Sequence, residues 1–430
     1  MDTNSVEPAP EVAASLAAAP DEVDSSQEGL GREYVLGIIS TSHLLNHMQG
    51  GIRAVLLPLM MQAVGFDILQ LGLLTAFYQL AATGMQAIYG VLAQYFRRSS
   101  LLGIANIVLG AFSGVTGLAG NYAQVMGAQV LSAFGSSAQH PLGSAMITSH
   151  FKKARGRAQG IQHTAANAGN LIAPLIVVGL LRFLDWRAIW IVLAIPSILM
   201  GFAYFFVKEK RSGGEVSKKA KTRVALQSYL ACLKNRDAMA VSLIQMTGAA
   251  GRGTDINQAY FVPFFMAFLS INGEKISLEM AGLLLAVLQA GSVLGPACIG
   301  WLSDRISRRW AVFAVLTMSC VSTVTLLAHS EITIALILNL VVYGLVVNSR
   351  ESLTVSLLGD SVPEEHYDAA FSLYYFIGFI SGPAWTALTG YLVASRGFAV
   401  AWWVVGLTYL TGIVLIGLLS SGKKARVTTA

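Results

Sequence analysis

Apolar blocks of about 20 or more residues alternate with short polar breaks along the chain, and each is long enough to cross a hydrocarbon core ~30 Å thick. They fall at 34–64, 68–95, 99–120, 122–149, 156–182 and 186–207, and again at 238–270, 277–303, 309–329, 331–358, 368–395 and 398–420. The pattern predicts an all-α membrane protein with 12 transmembrane helices in two pseudo-symmetric six-helix bundles. The boundaries it gives are an acidic tail over 1–33, a first bundle over 34–207, a basic linker over 208–236, a second bundle over 237–420 and a short basic tail over 421–430. The first tail sets eight carboxylates against Arg32 and has little apolar surface to bury, which predicts disorder. It lacks the basic start of a secretory signal, so no cleavage is expected.

Polar residues inside the spans carry the chemistry, because ionisable groups at membrane depth are costly and usually face a bundle interior or a watery cavity. At 100° per residue, His43, Asn46, His47, Gly50 and Arg53 form one stripe on the first span. Gln129, Ser136, Gln139 and His140 mark the fourth span, and Gln159, His163 and Asn170 the fifth. On the seventh, Gln245, Gly248, Arg252 and Asp255 share a face, and Arg252 and Asp255 are spaced to pair. On the tenth, Asn339, Tyr343, Arg350 and Thr354 share a face, with Glu351 turned away from Arg350.

Each group has two readings. Arg252–Asp255 is either a self-neutralising pair or part of a transport site. Arg53 has no acid on its stripe and serves either an anion or a neighbouring helix. Imidazoles titrate near neutrality, so His43, His47 and His140 are candidate proton carriers or helix-packing groups. Asp255 and Glu351 are the acidic candidates for proton coupling, and Glu351 is equally a balance for Arg350. Three intramembrane arginines against these two acids leave the spans net positive, which favours a small anion gripped through paired hydrogen bonds. Asn46, Tyr343, Gln139 and Asn170 complete the predicted binding set around Arg53, Arg252 and Arg350. Tyr78, Tyr374 and Trp385 are read as packing.

Composition agrees with the spans: 54% of residues are hydrophobic and 12% charged, too few charges to cover a soluble protein of 430 residues. Most of the 29 lysines and arginines fall in the linker and in loops on one side, while Arg182, Arg187, Lys275 and Arg396 lie on the other. Both termini are therefore expected in the cytoplasm. The net charge of +6 reflects that topology, and no nucleic-acid partner is expected. Cys232, Cys298 and Cys320 are widely spaced, so neither a disulfide framework nor a metal site is expected. No cofactor is expected either.

The chain also repeats itself. Gly72–Arg98 aligns without gaps on Gly282–Arg308, matching Gly72-Leu73-Leu74 with Gly282-Leu283-Leu284 and Gln79 with Gln289. The phrases "GVLAQYFRR", from Gly90, and "GWLSDRISRR", from Gly300, end the two copies, with Gln94 in one where Asp304 stands in the other. Duplicated six-span halves are a standard transporter plan, with the substrate between the halves.

The glycine, Asp, Arg-Arg phrase after the second span of each half resembles the major facilitator superfamily. "SHLLNHMQGGIRAVLLPLM", "LQLGLLTAFYQLA", "QHPLGSAMITSHF" and "RGRAQGIQHTAANAGNLIAP" resemble its fosmidomycin-resistance branch, across most of residues 42–174. The resemblance implies two bundles rocking about a cavity lined by helices 1, 4, 7 and 10, proton-driven efflux of small drugs, a monomer and a place in the cell's inner membrane. Where that branch has acids, this chain has His47, Leu142 and Gln94. The resemblance also implies that the paired loops meet the opposite half on the cytoplasmic side. Gly90 and Gly300 then permit close approach. Asp304, with Arg308 and Arg309, faces Lys152, Lys153, Arg155 and Arg157. Arg97 and Arg98 face Asp360, Glu364, Glu365 and Asp368, acids the sequence leaves without a basic partner, where an aspartate at 94 would be repelled.

The expected function is secondary transport of a small organic anion or drug, coupled to protons and directed outward. Uptake of a carboxylate metabolite is the alternative, and a transporter-like sensor without flux a distant one. No GxxxxGK[ST] motif occurs, so the energy comes from a gradient. An embedded transferase is disfavoured, because the linker holds no nucleophile–base set and His140-Pro141 is not followed by an acid.

Overall fold

The computed structural model describes residues 25–93, 95–151, 155–207, 229–247, 259–363, 367–417 and 419. The first half runs through α1 (Ser25–Met60), α2 (Ile68–Leu92), α3 (Arg98–Thr116), α4 (Tyr122–Ser136), α5 (Ser144–His150), α6 (Arg155–Leu180) and α7 (Trp186–Tyr204). The second holds α8 (Arg236–Thr247), α9 (Phe261–Phe268), α10 (Leu278–Arg305), α11 (Arg308–Thr325), α12 (Ile334–Ser361), α13 (Tyr367–Ile380) and α14 (Gly382–Ile416). Side-chain caps open several helices, each bonding a backbone N–H that the first turn leaves free: Asp67 for α2, Asn121 for α4, Asp185 for α7, Asn235 for α8, Ser277 for α10 and Thr333 for α12.

Eight stretches among the described residues are long and apolar enough to cross a membrane. The difference from the predicted spans has identifiable causes. The polar stripe of α1 lowers its hydropathy. The expected span 122–149 is interrupted by a wide π-helical turn at Gln139–Gly143, where Pro141 supplies no backbone N–H. The expected span 238–270 is described as α8 and α9, and residues 248–258 lie outside the described residues. The expected spans 368–395 and 398–420 share α14, which bends at Gly397, whose φ of 81° suits a residue without a Cβ. At the other end of the chain, α1 starts at Ser25, ahead of the apolar block that begins at 34.

Among the described residues one hairpin, β1 (Ser270–Ile271) against β2 (Glu274–Lys275), turns at Asn272-Gly273, both with positive φ, as tight hairpins require. Large apolar side chains such as Ile104, Leu199, Phe202, Leu338 and Val414 are exposed on the helices. Such a surface is a liability in water and a requirement in lipid.

Within the first half, α1 packs on α6 and α3 packs on α4 and α7; within the second, α12 packs on α10 and α11. Glycine permits the closest of these approaches. A Cβ on Gly344 of α12 would strike the Leu288 carbonyl of α10, and one on Gly169 of α6 would strike the Leu44 carbonyl of α1. The halves meet along two seams, α2 against α14 and α6 against α10.

Candidate functional site

Both seams are drawn tight at one end of the molecule, where α2 and α10 begin. A Cβ on Gly72 would lie 3.1 Å from the Cα of Gly390 and closer still to the Tyr260 hydroxyl, so two helices cross here backbone to backbone. The buried Tyr260 hydroxyl donates to the Thr386 carbonyl at 2.6 Å, and Gln79 Nε2 donates to Thr386 Oγ1 across the halves at 3.1 Å. On the second seam, a Cβ on Gly282 would meet Val178 of α6 at 2.8 Å. Gly72 and Gly282 are the same position of the repeat. The duplicated Gly-Leu-Leu thus marks where each half crosses the other, a role the sequence left unassigned. The partners Tyr260, Thr386 and Gly390 carried no signal in the sequence. At the opposite ends of α2 and α10, a Cβ on Gly84 or Gly300 would meet nothing within 4 Å.

Towards that looser end, the stripe of α1 meets α6 and the π turn. The rings of His43 and His47 are 4.7 Å apart, His43 and His140 5.0 Å, His47 and His140 6.0 Å, and His43 and His163 6.1 Å. His43 is 1% exposed, and among the described residues neither of its ring nitrogens has a hydrogen-bond partner. His47 is half-buried, while His140 and His163 are exposed. Asn170 lies 3.0 Å from His47 Nδ1 through its amide nitrogen. Four imidazoles therefore run from the interior to open space.

Other stripe members tie helices together. Asn46 donates to the Ser136 carbonyl at 2.8 Å. Gln139 donates to Ser42, which donates to Asn106 at 3.0 Å, and Asn106 donates to the Leu102 carbonyl at 2.7 Å. This buried chain links α1, α3 and the π turn. Arg53 is 8% exposed, with its guanidinium 3.7 Å above the Tyr78 ring, and Tyr78 donates to Ser136 at 2.8 Å. Tyr78, read from sequence as packing, is thus the cation–π platform of the first-half arginine.

In the second half, Arg350 is 1% exposed and donates through Nε to Gln245 Oε1 at 3.3 Å. Thr354 joins Gln245 at 3.5 Å and the Tyr374 hydroxyl at 2.6 Å. Tyr343 is fully buried against Phe261, and its hydroxyl has no partner among the described residues. Glu351 is half-buried beside Tyr375. Arg252 and Asp255 lie outside the described residues.

The family model described as Major Facilitator Superfamily matches residues 39–273 and 254–429, which together span most of the chain. The chain belongs to the major facilitator superfamily. Members bind small solutes and sit in a lipid bilayer, in keeping with the exposed apolar helices. Among curated relatives, the fosmidomycin resistance protein of Escherichia coli (strain K12) is 25% identical over 65% of this chain and 67% of its own length. The putative glycerol-3-phosphate transporter 2 of Arabidopsis thaliana is 25% identical over 81% of this chain and 77% of its own. A crystal structure of a mutant of the nucleoside transporter NupG superposes with a TM-score of 0.74 at 14% identity, covering 90% of this chain and all of that one. These relatives point away from an enzyme.

Within this superfamily fold, the loop phrases after α2 and α10 sit at the looser end. Gly90 lies in the last turn of α2, Asp304 lies in the last turn of α10, Arg97 is exposed, Arg98 and Arg309 are half-buried, and Gln94, Glu364 and Glu365 lie outside the described residues. One expectation is corrected here. Asp360 does have a basic partner: Arg308 of its own half makes an ion pair with it. The helix break at Ser307 puts Arg308 on the first turn of α11, within reach of the last turn of α12. Sequence separation hid that proximity.

Proposed function

We propose that this chain moves a small organic anion across the cell membrane by alternating access, with a buried arginine in each half gripping the substrate. The observation that carries this reading is a buried arginine in each half, Arg53 over the Tyr78 ring and Arg350 bonded to Gln245. A guanidinium in such a setting binds carboxylate, phosphate, phosphonate or sulfonate through two parallel hydrogen bonds. Relatives named for glycerol-3-phosphate and for sulfoacetate support the anionic class. Asn46, Gln139, Asn170 and Tyr343 belong to the walls of the same path, and Arg252 is its third cation.

The reading places 12 spans in the bilayer of the inner membrane, as a monomer with both termini in the cytoplasm. The tight end then faces outward, and the described conformation opens inward. Transport is coupled to protons, with Glu351 and Asp255 as the carriers this reading uses, and its direction is efflux, a reading that the relative named for fosmidomycin resistance supports. Uptake of a carboxylate metabolite is the second reading, and relatives named as probable L-galactonate and 4-methylmuconolactone transporters support a metabolite as the cargo. Gating uses the loop phrases at Gly90 and Gly300, with Gln94, Arg97 and Arg98 in one and Asp304, Arg308 and Arg309 in the other.

The experiment is flux in proteoliposomes under imposed pH and voltage gradients, comparing phosphonates with mono- and dicarboxylates and with cationic drugs. Anion flux that follows the pH gradient is expected. Flux of cationic drugs alone overturns the anionic reading.

A further inference from the structure

We propose that His43, His47 and His140 form a binding site for one divalent transition-metal ion of the Zn²⁺ class. This goes beyond the anion reading and does not rest on it. Each of the three imidazoles offers a nitrogen, and these nitrogens lie within 4.8 Å of one another. Tetrahedral zinc with Zn–N bonds of ~2.0–2.1 Å places its ligands ~3.4 Å apart, so modest side-chain rotations close the set.

The backbone supports the arrangement. His43 and His47 are one helical turn apart on α1, the spacing by which two histidines on one helix face share a metal. The π turn that interrupts the fourth span brings His140 to the same point, and such turns recur at functional sites.

The independent observation is His43 itself. It is 1% exposed, and neither ring nitrogen has a hydrogen-bond partner among the described residues. A buried imidazole in that state has a nitrogen directed at the neighbouring rings and nothing to satisfy it, and a metal ion does so. The donor set is three neutral nitrogens, which suits Zn²⁺, Co²⁺, Ni²⁺ or Cu²⁺ and discriminates against Mg²⁺ and Ca²⁺.

Asn170 completes the second layer. Its amide is 3.0 Å from His47 Nδ1, and its Oδ1 is buried without a partner. Turned about its last torsion, the amide accepts from Nδ1–H and presents Nε2 to the metal, the role that outer partners play for ligating histidines. The exposed His140 and His163 give the ion its entry path, and the fourth coordination position opens on their side.

The test is a titration of purified, tag-free, full-length protein in detergent with Co²⁺, read by its visible absorption and reversed by Zn²⁺. One ion per chain with micromolar affinity is expected. His43→Ala, His47→Ala and His140→Gln are each expected to weaken binding by about tenfold or more, and Asn170→Ala by about tenfold. His329→Gln, outside the cluster, is expected to change nothing. Gel filtration reports folding, and the exposed His140 keeps the test decisive if the buried variants misfold. Absence of saturable Co²⁺ or Zn²⁺ binding in the wild type overturns the proposal, as does binding that survives His140→Gln undiminished. Because the readout is binding, neither result bears on anion transport.

Discussion

Replacing Gly72 with alanine adds one methyl group where α2 crosses α14. That methyl would stand 3.1 Å from the Gly390 Cα and overlap the Tyr260 hydroxyl, which donates to the Thr386 carbonyl at 2.6 Å. Tyr260 is fully buried, so its ring has little room to retreat. Either the helices separate or the hydrogen bond breaks. Overpacking a tight interior costs ~1–3 kcal/mol, and a buried hydroxyl left without its acceptor costs about as much. The closed end should therefore lose about 2 kcal/mol against its open counterpart, a shift of roughly thirtyfold in their ratio. Spin labels on cysteines placed at Ala63 and Ser395, both exposed near this end, would report the shift as a second, longer distance. The cysteines Cys232, Cys298 and Cys320 would first be replaced.

Two controls sharpen the result. Gly282→Ala meets only a Val178 methyl at 2.8 Å, a side chain that can turn away, so its shift should be the smaller of the two. Adding Tyr260→Phe to Gly72→Ala removes the overlapping oxygen and should restore most of the closed population. Unchanged distances in Gly72→Ala, or equal effects at Gly72 and Gly282, would refute the backbone-crossing argument.

Two further outcomes follow from the structure. Ser42→Val removes the middle of the chain from Gln139 to Asn106 and leaves both amides short of a partner, so the protein should lose about 1–3 kcal/mol and unfold at lower temperature in detergent. A wild-type melting curve would show that the chain is dispensable. Gln94→Asp should weaken the state in which the loop phrases meet the opposite half, and adding Glu364→Lys and Glu365→Lys should restore it, as read by cross-linking at that end. Strengthening by Gln94→Asp alone would refute the electrostatic reading of that gate.

The helical architecture was legible because lipid requires long apolar helices, and the repeat because matched punctuation survives at a fixed offset. Local departures were not. The π turn at Gln139–Gly143 depends on how Pro141 perturbs one hydrogen-bond ladder, and periodicity takes no account of that. The stripe on α1 was visible as a stripe, yet the sequence does not say which members face one another. His43 proved to meet His140 and His163 from other helices, whereas Asn46 ties to the Ser136 carbonyl. The crossing partners Tyr260 and Thr386 look like ordinary span residues until two halves are brought together. Asp360 was misjudged because its counter-charge, Arg308, belongs to a different loop of the same half.

The account rests on Arg53 and Arg350 as the grip for an anion, and counterflow of a labelled phosphonate or dicarboxylate in proteoliposomes tests it most directly. Wild-type protein should exchange the label, and Arg53→Gln and Arg350→Gln should each abolish exchange while remaining monodisperse. Undiminished anion exchange in both arginine variants would contradict the claim.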